Sequence, residues 1–149
     1  MLAVRPYTLG STRIVDHDGI PCIVLTGILT AAAIYELKAH TAALAADDPV
    51  VIADWRGLVL ADSPANLAAA LDDGRHVMRQ PVALVIRSEQ APVARAYARI
   101  MTGRSFCRPV FLTRSAAAEW CRQELATRLD EALHQTRCRG QSGGLPLRG

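Results

Sequence analysis

Apolar positions along the chain follow two rhythms, short unbroken runs and longer stretches spaced by three and four, and the two alternate. Residues 12–16 and 20–26 are apolar segments divided by His17-Asp18-Gly19. Asp-Gly supplies the positive φ angles of a tight hairpin, so an antiparallel pair is expected. Ile34, Leu37, Thr41 and Leu44 recur at helical spacing behind Thr30, a natural N-cap, and predict a first helix ending before Pro49. Residues 49–54 (PVVIAD) and 81–87 (PVALVIR) are continuously apolar runs, each opened by a proline. Proline donates nothing to a ladder and suits a strand's first position, so both read as central strands. Between them Leu67, Leu71, Val77 and Met78 predict a second helix that stops before Pro81, with Gly74 as its weak point.

Residues 91–103 place Val93, Tyr97, Ile100 and Met101 on one helical face and Arg95 and Arg99 on the other, with Gly103 as the stop. Residues 108–113 (RPVFLT) give a last strand. A final helix follows, opened by Ser115 and striped by Cys121, Leu125, Leu129, Ala132 and Leu133. The order β-β-α-β-α-β-α-β-α predicts an α/β fold: a single mixed, mainly parallel β-sheet of about five strands with flanking helices. It fills one domain over residues 1–138. Residues 139–149 hold too few apolar groups to pack alone and are expected to form a flexible C-terminal tail.

Composition narrows the class. The chain has 149 residues, 50% of them hydrophobic, which suits one globular domain with a real core. The alanine-rich runs are broken by Glu36, Lys38, Asp47, Asp48, Asp72 and Asp73, and no basic stretch precedes an apolar one, so a soluble, cytoplasmic protein without membrane insertion is expected. Cys22, Cys107, Cys121 and Cys138 form no C-x-x-C pair and read as free thiols. Residues 1–74 carry 4 basic and 9 acidic side chains, whereas residues 75–149 carry 13 and 5, a polarity that could orient partners.

No glycine-rich phosphate loop, nucleophile elbow or H-E-x-x-H is present, and His17, His40, His76 and His134 fall in different elements, so neither an enzyme, a cofactor nor a metal is expected. A ligand on such a sheet belongs outside the carboxyl ends of the strands, where Asp54, Trp55, Arg56, Arg87 and Arg114 stand as the candidate surface. Asp54 reads either as a shifted base or as the partner of a nearby arginine, and Trp55 either as a stacking platform or as core. Arg95, Arg99, Arg104 and Arg108 line a basic stretch. With aromatics at only 5% of the chain no nucleic-acid stacking surface is expected, and the stretch reads as a solvated face.

The segment from Val51 onward carries a resemblance. An apolar run reaching Asp54, about seven further residues, then Asp62-Ser63 and a helix buried through Leu67 and Leu71 resembles the STAS domain, the fold of bacterial anti-sigma-factor antagonists. The element order matches over residues 12–133, and VFLTRSAAAEW is similar to that fold's closing strand and helix start. The resemblance implies a non-enzymatic regulatory module that binds a protein partner, a serine kinase or an anti-sigma factor, with Ser63 as the phosphorylation candidate and Asp62 beside it. Pro64-Ala65 replaces that pattern's small hydroxyl residue and glycine, which removes the freedom glycine gives to close backbone approach. Ser63-Pro64 is also a complete helix-start signal in its own right. A homodimer stays open. So does a small apolar ligand held between helices and sheet, as in the similar-looking CRAL-TRIO domains, where Met78, Tyr97, Ile100, Met101 and Phe106 would line the pocket.

Overall fold

The computed structural model describes residues 8–143, with side chains described over 12–135. Strands β1 (Thr8–His17) and β2 (Ile20–Leu29) form the antiparallel hairpin. Asp18 and Gly19 take φ angles of 51° and 87° at its turn, as a two-residue primed turn requires. Helix α1 (Ala31–Leu44) follows, its Ala33 N–H donating to the Thr30 hydroxyl at 3.4 Å. Then come β3 (Val51–Leu60), α2 (Pro64–Asp72), β4 (Val82–Val85), a single 3₁₀ turn (Ser88–Gln90), α3 (Ala91–Gly103), β5 (Val110–Phe111) and α4 (Arg114–Gly143).

The five strands lie in chain order, β1-β2-β3-β4-β5, and every pair after the hairpin is parallel. Successive right-handed crossovers moving in one direction put their helices on one side of the sheet. Ile23, Leu25, Val51, Ala53, Trp55, Val82 and Leu84 accordingly face α1, α2 and α3 through Ile34, Leu37, Leu67, Leu71 and Val93. The alternate residues Cys22, Val24, Ile52, Ala83 and Val85 face Ala117, Ala118 and Cys121 of α4 on the opposite side. The expected five-stranded, mainly parallel sheet with flanking helices is the observed one.

Among the boundaries that differ from expectation, two have a tertiary reason and one a local one. The strand containing Asp54 runs on to Leu60, because past a shift of register at Val24/Thr26 its residues Gly57 to Leu60 pair with Thr26 to Leu29 of β2. Gly57 permits this: a Cβ there would stand 2.8 Å from the Leu25 carbonyl oxygen and from Thr26 Cγ2. Helix α2 stops at Asp72, and Val77 and Met78 lie outside any helix. The buried Lys38 ammonium donates to the Leu71 carbonyl at 3.2 Å and to the Asp73 carbonyl, taking the groups that a further turn would use. Helix α4 begins at Arg114 with the Thr113 hydroxyl accepting from Ala116 N–H at 3.1 Å, so Thr113 and not Ser115 opens it. Its assigned span reaches Gly143, and the rest of the expected tail, residues 144–149, lies outside the described residues.

Candidate functional site

The alternation of β3 decides what its middle can do. Asp54 shares the face of Ile52 and so points toward α4, where the first residue of that helix, Arg114, meets it. Arg56, two residues on, shares that face too. Asp54 is 3% exposed, and its two oxygens receive Arg56 Nε at 2.9 Å, Arg56 Nη2 at 2.8 Å, Arg114 Nε at 2.7 Å and the Arg56 backbone N–H at 3.1 Å. Desolvation pushes this carboxyl up, but the hydrogen bonds from Arg56 and Arg114 outweigh it and hold Asp54 below the usual carboxylate range. Both oxygens are engaged, so the group is a charge-paired anchor between β3 and α4 rather than a base. Cys22 lies close enough to feel all three charges, yet burial dominates and pushes its thiol up to about 11, while burial takes Cys121 to about 12.

Trp55 points to the other face. It is buried against Tyr97 of α3 with ring centroids 6.2 Å apart and planes 30° from parallel, and it does not join Asp54 and Arg56. Arg87 is separate again. Because β4 ends at Val85, the upper half of β3 has no strand on that side, and its carbonyls need other donors. Gln90, fully buried and not singled out by the sequence, gives its amide to the Trp55 and Leu58 carbonyls at 2.8 and 2.9 Å, while Arg87 Nη2 reaches the Leu58 carbonyl at 2.7 Å. The Gln90 Oε1 accepts from Arg87 N–H at 2.9 Å, and Glu89 holds the Arg87 guanidinium at 2.8 Å. The available signal was a glutamine in the first turn after a short strand.

Asp62 and Ser63 form a third group, where β3 gives way to α2. Asp62 takes the Ala31 N–H at 3.2 Å on one oxygen, and the Ser63 N–H at 2.9 Å and Asn66 Nδ2 at 3.0 Å on the other, which ties the starts of α1 and α2 together. Those donors, the Asn66 amide first, hold its carboxyl below the usual range. Ser63 is the N-cap of α2: its backbone is extended, its Oγ accepts the Asn66 N–H at 3.1 Å, Pro64 fills the first helical position, and the side chain is exposed. Three residues before Asp62, Val59 is the register partner of Ile28 on β2, and the two stand 55% and 46% exposed.

The remaining candidates separate. Arg95 and Arg99 are exposed, but Arg104 pairs with Asp72 at 2.8 Å and Arg108 is buried. Arg108 gives its guanidinium to the carbonyls of Gln80 and Cys107 at 2.9 Å each, to that of Met78, and to the Tyr97 hydroxyl at 3.3 Å. The basic stretch is therefore not one face. Met78 and Tyr97 line a mostly apolar cavity of about 50 Å³ between α1, α2 and the sheet, whereas Ile100, Met101 and Phe106 do not. Two open grooves of about 390 Å³ flank the 3₁₀ turn, one lined by Val59, Leu60, Arg87, Glu89 and Gln90, the other by Ile86, Ser88, Ala91, Arg95 and residues 110–112. Asp54 and Arg114 line neither. Among the described residues no three of His, Cys, Asp or Glu come together as a metal site, and no helix is long and apolar enough to cross a membrane.

Solved structures resemble this arrangement. An anti-sigma factor antagonist from Mycobacterium paratuberculosis superposes with a TM-score of 0.51 at 22% identity, covering 80% of this chain and 99% of that one. An uncharacterized protein of the DUF3478 family with a SpoIIAA-like fold, from Shewanella loihica PV-4, gives a TM-score of 0.47 at 16% identity, covering 80% and 98%. No family model matches the sequence, and neither does any curated protein. The class these observations define is a STAS-like α/β domain, the fold of the anti-sigma factor antagonist, as the segment around Asp54 and Asp62-Ser63 implied.

Proposed function

We propose that this protein is a regulatory module of the cytoplasm that acts by docking a protein partner, a serine kinase or an anti-sigma factor, on the rim where β3 meets α2, and that Ser63 is its phosphoacceptor. The observation that carries the reading is the placement of Ser63: an exposed hydroxyl at the first turn of a helix, on a backbone that Asp62 and Pro64 hold fixed. A kinase needs a presented hydroxyl, and a partner needs a rigid rim. The exposed Ile28–Val59 pair supplies apolar contact beside it, and Arg56, Arg87 and Arg114 supply charge at the strand ends. A phosphate on Ser63 adds about 1.5 to 2 negative charges beside the Asp62 carboxylate and alters that rim by repulsion. The same phosphate gains from the α2 backbone N–H groups, so the domain stays folded while its surface changes sign.

Catalysis is not part of the reading, since both oxygens of Asp54 are taken by arginines. The apolar cavity of about 50 Å³ falls far below the several hundred Å³ of a ligand pocket, and the two grooves of about 390 Å³ are open and take in neither Asp54 nor Arg114, which supports partner docking over small-molecule carriage. The test is to incubate the protein with ATP and the serine kinases of its own source and to compare Ser63→Ala. Phosphate on the wild type and none on the variant is expected. Equal incorporation in the two proteins, or none in either across that kinase set, overturns the switch.

A further inference from the structure

Lys38 is the one lysine in a chain that otherwise uses arginine for its cations, and it lies buried on α1, 8% exposed. An ammonium carries three donors, and two of these are engaged by the Leu71 and Asp73 carbonyls at the end of α2. Those partners bear no formal charge. The charged groups around it are Asp72, Asp73, Arg75 and Arg104, and both carboxylates are already matched: Arg75 Nε lies 3.0 Å from Asp73 Oδ1 and Arg104 Nη2 lies 2.8 Å from Asp72 Oδ1. Among the described residues this cluster therefore leaves one positive charge over, and it is the buried one. A buried charge without a matched counter-ion is costly, and burial accordingly pulls the Lys38 ammonium below the usual lysine range.

Lys38 also borders the apolar cavity of about 50 Å³, whose walls include Leu25, Leu29, Trp55, Met78 and Tyr97. With roughly 10–15 Å³ of such space for each small non-hydrogen group, that volume takes about three to five of them. It excludes a ligand of ordinary size and fits a small ion. We propose that the cavity binds a short-chain monocarboxylate such as acetate or propionate, its carboxylate on the Lys38 ammonium and its alkyl end among Trp55, Met78 and Tyr97. The surroundings select this class. A single unmatched cation calls for a single negative charge, and apolar walls call for hydrocarbon behind it. Phosphate or sulfate would carry a full shell of oxygens into a space that offers one charged donor flanked by two carbonyl oxygens, and most would go unsatisfied. Residues 76–78, in the irregular segment between α2 and β4, supply one wall, and His76 is exposed, which brings the site close to solvent. Because Lys38 joins α1 to the end of α2, the bound anion tightens the helix that begins at Ser63. Binding itself does not rest on Ser63 being a phosphoacceptor.

Amide NMR titration of the full chain with sodium propionate, set against sodium chloride at equal concentration, reads the site directly. The wild type is expected to show saturable shifts at the residues lining the cavity that chloride does not produce. Propylammonium, of nearly the same shape and opposite charge, is expected to give none. Lys38→Met removes the cation and is expected to weaken propionate binding by about tenfold or more. Since that variant also takes a donor from the end of α2, Ala53→Leu keeps Lys38 and fills the cavity from β3; it is expected to abolish the shifts with an unchanged near-ultraviolet spectrum. Wild-type shifts no larger than those from chloride, an equal response to propylammonium, or undiminished propionate binding by a folded Lys38→Met or Ala53→Leu protein overturns the inference.

Discussion

Two aspartates on one stretch of chain, Asp54 and Asp62, behave oppositely. Asp54 is sealed at 3% exposure between two guanidinium groups and joins a strand to the helix behind it. Asp62 sits at the surface, accepts only uncharged N–H groups, and joins the starts of two helices while leaving the serine beside it exposed. Both carboxyls are held below the usual range, so a depressed acidity alone does not mark the functional one. What separates them is the kind of partner. Arginines quench a buried charge and use it as a fastener, whereas backbone amides orient a charge that still faces water.

The comparison breaks first at Asp54. Asp54→Ala leaves the Arg56 and Arg114 guanidiniums without their counter-charge, and a loss of about 2–4 kcal/mol in chemical denaturation is expected, reduced from a fully buried case because both arginines reach water. A loss under about 0.5 kcal/mol would make the pair decorative. Next in size, Gln90→Ala strips donors from the buried Trp55 and Leu58 carbonyls and is expected to cost about 1–3 kcal/mol, with faster amide exchange along the upper half of β3. Unchanged exchange there would contradict the role given to Gln90.

The acid limb of stability sharpens the contrast further. The folded carboxyl of Asp54 lies below its unfolded value, so its contribution is full above the ordinary carboxylate range and is lost as pH falls through the folded value. Asp54→Asn therefore lowers stability at neutral pH and flattens the decline in acid, which denaturation midpoints across pH 2–7 would reveal; a parallel, merely displaced curve would contradict it. The smallest effect belongs to the surface group. Ser63→Ala removes one cap and is expected to cost about 0.5–1.5 kcal/mol, while Ser63→Asp, itself a good cap, restores most of it. A Ser63→Asp protein less stable than Ser63→Ala would show repulsion from Asp62 outweighing the helix terminus.

Local signals carried much of the architecture. Asp18-Gly19, Thr30 and the apolar runs at 49–54 and 81–87 act through neighbours a few residues away, so the hairpin, the first helix and the parallel core were legible from them. Most of the misreadings share a cause in contacts between residues far apart in sequence. Arg56-Gly57 looks like a loop because its reason for being strand, the close passage beneath Leu25 and Thr26, comes from β2. Val77 and Met78 keep helical spacing, yet Lys38 ends α2 from another helix. Arg108 reads as solvated and is buried on carbonyl oxygens at 78, 80 and 107. At the candidate site, the pairing of Asp54 with arginine was among the readings the residues allowed, whereas the opposite facing of Trp55 followed from β3 running on past Asp54 and the part played by Gln90 from where β4 ends.

The measurement that bears most directly on the division between fastener and switch is site-resolved phosphate incorporation by mass spectrometry. It compares the wild type, Asp54→Asn and Ser63→Ala, each with ATP and the serine kinases of its source, at a temperature where all three are folded by circular dichroism. Phosphate on Ser63 of the wild type and of Asp54→Asn, with none on Ser63→Ala, is the predicted result. Label on Ser63→Ala equal to the wild type, or a folded Asp54→Asn protein that takes none, would contradict the account.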